Sequence, residues 1–268
     1  MDARPGAQLP LFDMDDPAFV DSAGPADDPV EGAPAPGALP AWAGRIGVFD
    51  LETTGVDVER DRIVSAHVGL LDADGVVLEA HRWLAAPGIE IPAGAAAVHG
   101  ITTARARAEG RPAAVVVAEV VAAVRALLEA GVPVTAYNAP FDFSLLRHEA
   151  ERHGVAPILD PAPVLDPLVL DKTFDRYRKG KRTLDLVAQH YDVPLDDAHD
   201  ASADAVAAGR VALALADRFA PYLPPTLEDL HALQVAWARE QADGLTAYFV
   251  RIGRLSPGDE LDGSWPIR

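Results

Sequence analysis

The sequence predicts an α/β domain, a mixed sheet flanked by helices. Three observations predict it. Three strand-like apolar runs follow one another between Arg45 and Leu84, the last two joined by the turn sequence Asp72-Ala73-Asp74-Gly75. Beyond them, helix-length runs alternate with short apolar ones, and strands followed by such an alternation give a mixed sheet with helices on its faces. Of the 268 residues, 49% are apolar, enough for one sizeable core with appendages.

Residues 1–44 are expected to be a disordered acidic tail, rich in Pro, Ala, Gly and Asp, with Arg4 as its basic residue. The strands are expected at Arg45–Leu51, Arg62–Leu71 and Val76–Leu84. Pro87 to Pro92 reads as loop, and Ala95 to Thr102 as a short helix stopped by Gly100. A helix over 112–130 closes at Gly131, and a short strand follows at Val132–Tyr137. Phe141–His153 is a helix ending at Gly154, and the proline-broken stretch Val155–Leu165 has room for a short strand. Helices are expected at Leu184–Tyr191 and Ser202–Phe219.

A long helix over Thr226–Ile252 opens on a capping-box-like Thr226-Leu227-Glu228-Asp229. Its apolar face, with Leu230, Leu233, Trp237, Leu245, Tyr248 and Phe249, is expected to pack on its own domain, a partner being the alternative. Ser256–Arg268 reads as a loose tail. The expected division is a tail over 1–44, a domain over 45–220 and a helical extension over 221–268.

Composition narrows the function. The chain has no cysteine, which excludes disulfides and cysteine zinc sites and agrees with a reducing cytosol. No apolar run approaches membrane-spanning length and no signal peptide is evident, so a cytoplasmic setting without membrane contact is expected. The net charge of −18 argues against broad adhesion to nucleic acid, so a nucleic-acid enzyme of this composition needs a local basic patch.

The chemistry starts in Ile46-Gly47-Val48-Phe49-Asp50-Leu51-Glu52-Thr53-Thr54-Gly55. Asp50 and Glu52 stand at i and i+2 of a strand, so both carboxylates point to one face. A buried pair of like charges is costly unless a hard cation lies between them, and Mg²⁺ or Mn²⁺ suits oxygen donors. Further on, Asp142 opens a helix in Asn138-Ala139-Pro140-Phe141-Asp142, where the helix dipole favours a carboxylate. Asp204 lies in an alanine-rich helix, with His199 ahead of it across four intervening residues.

In that order the set resembles the DEDD superfamily of 3′–5′ exonucleases in its histidine branch, the group of the epsilon proofreading subunit of bacterial DNA polymerase III and RNase T. The matching motifs are Asp50-x-Glu52-Thr53-Thr54-Gly55, Asn138-Ala139-x-Phe141-Asp142 and His199-x₄-Asp204; the tyrosine branch does not fit, since Leu195 stands where Tyr191 would need an aspartate. The resemblance covers about Arg45 to Arg218 and implies a ribonuclease H-like fold with a five-stranded mixed sheet. It also implies a two-metal hydrolysis: Asp50, Glu52 and Asp204 on one ion, Asp50 bridging to the second, Asp142 acting mostly through water, and His199 as general base. It implies substrate contacts at Thr53, Thr54, His99, Asn138 and Phe141, with Phe141 placed to stack on the terminal base.

Two further segments suit partners. Arg176-Tyr177-Arg178-Lys179-Gly180-Lys181-Arg182 is the dense basic run, which makes Arg178, Lys179 and Lys181 the expected phosphate contacts. Gln8-Leu9-Pro10-Leu11-Phe12 resembles the pentapeptide with which bacterial proteins bind the sliding clamp, Leu11 and Phe12 filling its pocket. The expected function is a metal-dependent exonuclease on single-stranded or 3′-unpaired DNA, with the clamp or a DNA polymerase III subunit as possible partner. The alternatives are an exoribonuclease that trims RNA 3′ ends and a non-catalytic adaptor between clamp and polymerase.

Overall fold

A computed structural model of the chain describes residues 39–195 and 200–268. The clamp-like motif at Gln8–Phe12, with the rest of residues 1–38, and His199 lie outside the described residues.

The three long strands form where expected: β1 (Arg45–Thr53), β2 (Ile63–Asp72) and β3 (Val77–Ala86). They make an antiparallel meander in which Asp50 pairs with His67 and His67 with Arg82. Short strands β4 (Arg111–Pro112), β5 (Val134–Thr135) and β6 (Val164–Leu165) complete a sheet of order β4-β3-β2-β1-β5-β6. β5 and β6 run parallel to β1, so the sheet is mixed. It has six strands rather than the five expected, the sixth being the two-residue β4 at the edge of β3.

The helices are α1 (Ala93–His99), α2 (Thr103–Glu109), α3 (Ala113–Glu129), α4 (Ala139–Arg152), α5 (Pro167–Phe174), α6 (Leu184–His190), α7 (Ala201–Arg218) and α8 (Leu227–Arg251). Two of them, α2 and α5, are absent from the sequence expectation. Both carry a signal at the N-cap: Thr102 accepts the Arg105 N–H, and Asp166 accepts the Leu168 N–H ahead of Pro167. α1 stops as expected, because Gly100 takes the left-handed conformation with φ 71°.

Two helices decide where the site lies. On one face of β1, α7 packs against Ile46 and Val48, and it comes so close that a Cβ on Gly209 would lie 2.5 Å from Val48 Cγ1. Asp50 and Glu52 continue the Val48 row, so the N-terminus of α7 ends beside them. On the other face α4 packs on β1 through Phe49 and Phe143, whose rings meet edge to face at 5.4 Å. Both rings are almost wholly buried, as are Ile46, Val48, Leu145 and Val211; burial of one such side chain contributes about 1.5–3 kcal/mol.

Both ends of the chain differ from expectation. Residues 41–44 form a 3₁₀ turn that buries Trp42 and Ala43 in the core, so the expected tail stops short of residue 44. The expected loose tail at 256–268 is docked: Trp265 is buried, its Nε1 donates to Asp166 Oδ2 at 3.2 Å, and the Arg268 N–H donates to Ser144 Oγ at 2.9 Å. The apolar face of α8 is buried at Leu230, Trp237, Tyr248 and Phe249. Its one buried polar side chain, Gln234, donates to the Val164 carbonyl at 2.9 Å and accepts the Asp166 N–H at 2.8 Å. No helix of the described residues is long and apolar enough to cross a membrane.

Candidate active site

Asp50 and Glu52 are the half-buried positions toward the C-terminal end of β1, which beyond its exposed first residue, Arg45, is otherwise buried. β5 is two residues long, so β1 loses its ladder partner on that side before Leu51. The Asp142 carboxylate takes its place and accepts the Leu51 N–H at 3.1 Å. Asp142 is in the first turn of α4 and is 3% exposed. Asp204 comes from the first turn of α7 on the opposite face.

These carboxylates repel one another. Burial, then Asp142, Glu52, Asp204 and Asp200 in that order, hold the Asp50 carboxyl well above its ordinary range. Burial, then Asp204 and Asp200, push Glu52 up to about 8. Burial raises Asp142 as well, against the Leu51 hydrogen bond that favours its ionised form. So the structure brings Asp50, Glu52, Asp142 and Asp204 from three elements into one electrostatic unit. Asp200, not singled out by the sequence, belongs to it too. It caps α7, accepting the Ser202 and Ala203 N–H groups, and its signal was the Asp-x-Ser at a helix start.

The donor set is all hard oxygen, and mutual repulsion is what a divalent cation relieves. Among the described residues no three acidic or imidazole groups stand close enough to form a ready-made metal shell.

The other expected residues divide. His99 ends α1 and shares with Glu52 the wall of a cavity of about 310 Å³. Its Nδ1 accepts the Ile101 N–H at 3.1 Å, and burial lowers its pKa, so the ring is neutral with its proton on Nε2. Thr53 Oγ1 donates to the Gly55 carbonyl at 2.6 Å. Thr54, expected at the substrate, is 1% exposed and committed to the turn: it donates to Asp61 Oδ1 at 2.7 Å and accepts the Arg62 N–H at 3.0 Å. Asn138 caps α4 in the left-handed region, φ 62°, with its backbone N–H on Asp166 Oδ1. Phe141 is half-buried against the core.

The basic run is largely used inside the fold. Arg178 Nη2 lies 2.6 Å from Asp171 Oδ2, Arg182 pairs with the same carboxylate, and Asp171 is fully buried. Tyr191 closes that cluster, its hydroxyl donating to Asp171 Oδ1 at 2.9 Å. Removing one partner of such a buried pair costs about 3–5 kcal/mol, so Arg178 holds the fold rather than standing open to a phosphate. Lys179 and Lys181 are exposed.

Residues 48–212 match the sequence family described as Exonuclease, of RNase T type. The chain belongs to the exonuclease family. The match places it among the DEDD 3′–5′ exonucleases, which use divalent metal ions. The exonuclease domain is 30% identical over 168 residues to the DNA polymerase III PolC-type of Lacticaseibacillus paracasei, covering 63% of this chain and 11% of that protein. It is 34% identical over 172 residues to the DNA polymerase III subunit epsilon-like protein of Rhodobacter capsulatus, covering 63% of this chain and 23% of that one. The chain thus spans less than a quarter of the length of either curated relative. Its fold is that of E. coli exonuclease I in complex with a dT13 oligonucleotide, with a TM-score of 0.56 and 21% identity over 63% of this chain and 40% of that one. The zinc-bound E. coli enzyme with single-stranded DNA gives a TM-score of 0.58 at 20% identity, over 76% of this chain and 45% of that one.

Proposed function

We propose that this chain shortens DNA from the 3′ end and releases 5′-mononucleotides, in proofreading or repair trimming in the bacterial cytoplasm. The observation that carries the reading is the unit of carboxylates turned on one another at the end of β1, in a domain of the exonuclease family. Asp50, Glu52, Asp142 and Asp204 would hold two ions, Mg²⁺ or Mn²⁺. When bound, these supply Lewis-acid polarisation of the scissile phosphate and of water.

The chain's own groups do the rest. His199, the residue that makes this the histidine branch, takes the proton from the attacking water, since an unperturbed imidazole titrates near pH ~6.5. His99, neutral and held by the Ile101 N–H, forms a fixed wall for the terminal nucleotide beside Glu52. Phe141 offers an aromatic face at the start of α4.

The test is degradation of 5′-labelled DNA with an unpaired 3′ end, and of matched RNA, with Mg²⁺ or Mn²⁺. The expected result is stepwise shortening of DNA that needs the metal and vanishes in Asp204→Ala. Faster shortening of RNA would make this an RNA-trimming enzyme. No metal-dependent shortening of either would leave the non-catalytic adaptor.

The similarity to two DNA polymerase III proteins supports a place at the replication machinery. In this reading the Gln8-Leu9-Pro10-Leu11-Phe12 segment tethers the enzyme to the sliding clamp. Immobilised clamp is expected to capture the full chain and to lose it when Leu11 and Phe12 are both replaced by Ala. Equal capture of both forms would make the segment a chance apolar patch.

A further inference from the structure

Arg82 stands where β3 crosses the acidic centre. The register sets Asp50, His67 and Arg82 opposite one another on three adjacent strands, so their side chains form one row on one face of the sheet. The middle member is 1% exposed, and neither of its ring nitrogens has a hydrogen-bond partner. Burial, and Arg82 beside it, push the pKa of His67 down to about 4, so it is uncharged at neutral pH. Arg82 is the cation of the row, and it is exposed.

Its guanidinium is placed differently from those of other arginines of the fold. Arg178 and Arg182 are drawn in by Asp171, and Arg105 by Glu109. Arg82 Nη2 donates instead to the neutral hydroxyl of Ser202, in the first turn of α7 two residues before Asp204. That bond fixes the rotamer without neutralising the charge, and it leaves further N–H groups of the fork for an anion.

Two cavities meet at this side chain. The smaller, of about 310 Å³, has Glu52 and His99 in its walls. The larger, of about 530 Å³, has His67 and Arg210. Arg82, Asp200 and Ser202 belong to both. Arg82 therefore stands on the boundary between the cavity that holds Glu52 and His99 and the larger one beside it. A chain of net charge −18 needs a cation at that point, because carboxylates otherwise repel the approaching backbone.

We propose that Arg82 binds a backbone phosphate of the nucleic-acid substrate at the ridge between the two cavities, a role that rests on the exonuclease reading of the same site. A guanidinium presents two parallel N–H donors to phosphate oxygens, and its contact carries no sequence preference. The contact adds about 0.7 to the salt slope of single-strand binding.

The test uses the full chain with Mg²⁺ and a single-stranded oligonucleotide over a range of KCl concentrations. Arg82→Ala is expected to raise KM about tenfold with kcat within about twofold, and to lower the slope of log KM against log salt by about 0.7. Arg82→Lys should restore the slope and only part of the affinity, since an ammonium keeps the charge and loses the fork. Anisotropy of a labelled oligonucleotide on an Asp204→Ala background reads binding without cleavage and should show the same slope change. Unchanged KM and slope in Arg82→Ala overturn the proposal, and so does a fall in kcat alone. A Ser202→Ala variant that reproduces the whole loss also overturns it, because the role would then be to hold α7. Wild type that shortens no nucleic acid strikes the exonuclease reading itself, and the salt slope still tests Arg82 separately.

Discussion

Glu52→Gln is expected to lower exonuclease turnover by about a hundredfold or more and, in chelator, to make the protein more stable than wild type. The first effect follows from losing an anionic oxygen where a cation has to sit. The second follows from the sign of its pKa shift. Burial and the carboxylates of Asp204 and Asp200 push the folded-state value from 4.5 to about 8. Between those values the folded protein binds more protons at Glu52 than the unfolded chain does, so in the metal-free wild type the contribution of this group is fully present below about pH 4.5 and is lost as pH rises through about 8.

Glutamine has no charge to lose, so the stability gain of the variant should be absent at pH 4.5 and largest above pH 8. Thermal unfolding of both proteins in EDTA, at each end of that window, is the measurement. Mg²⁺ added at high pH should raise the melting temperature of wild type and do much less for the variant, since the cation relieves the repulsion that the substitution has already removed. A variant no more stable than wild type at high pH would mean that Glu52 does not stand in a repelling cluster.

Asp166→Ala should be the most damaging change outside the carboxylate centre, with a loss of about 3–5 kcal/mol in urea unfolding. Asp166 is 1% exposed, and its two oxygens accept from four groups: the N–H of Asn138, Ala139 and Leu168, each at 3.0 Å, and Nε1 of Trp265 at 3.2 Å. Its own N–H is taken by Gln234 of α8. Alanine leaves those donors without their acceptor, and the buried ones, the Ala139 N–H and Trp265 Nε1, each cost about 1–3 kcal/mol before relaxation. It also frees the start of α4, which carries Asp142, so activity should fall with stability. Trp265→Phe removes a single N–H and should cost about 1 kcal/mol. If the two variants unfold alike, the carboxylate is not the centre of this network.

Much of the site was legible in one dimension. Strand alternation alone puts Asp50 and Glu52 on one face, and a helix N-terminus alone favours Asp142, because both rules act over a few residues. The long strands β1 to β3, the stop of α1 at Gly100 and the own-domain packing of α8 follow from equally local patterns. The missed helices α2 and α5 are short, and their signal is a capping residue rather than an apolar period.

What the tertiary structure decided was which charges and hydroxyls remain available. Arg178 and Arg182 read as an open basic patch until Asp171, seven and eleven positions away, buries them in a shared ion pair. Thr54 read as a substrate contact until Asp61 and Arg62 claimed its hydroxyl. Residues 256–268 read as loose until Trp265 reached Asp166, 99 positions away. Arg82 carried no motif at all, and its place beside the carboxylates comes only from the register of three strands. Sequence by itself determined which residue types stand in order along the chain and which way a strand or helix turns them, since those depend on local geometry. Which of them pair, and which face the cavities, depends on contacts between distant segments, and those exist only once the core has closed.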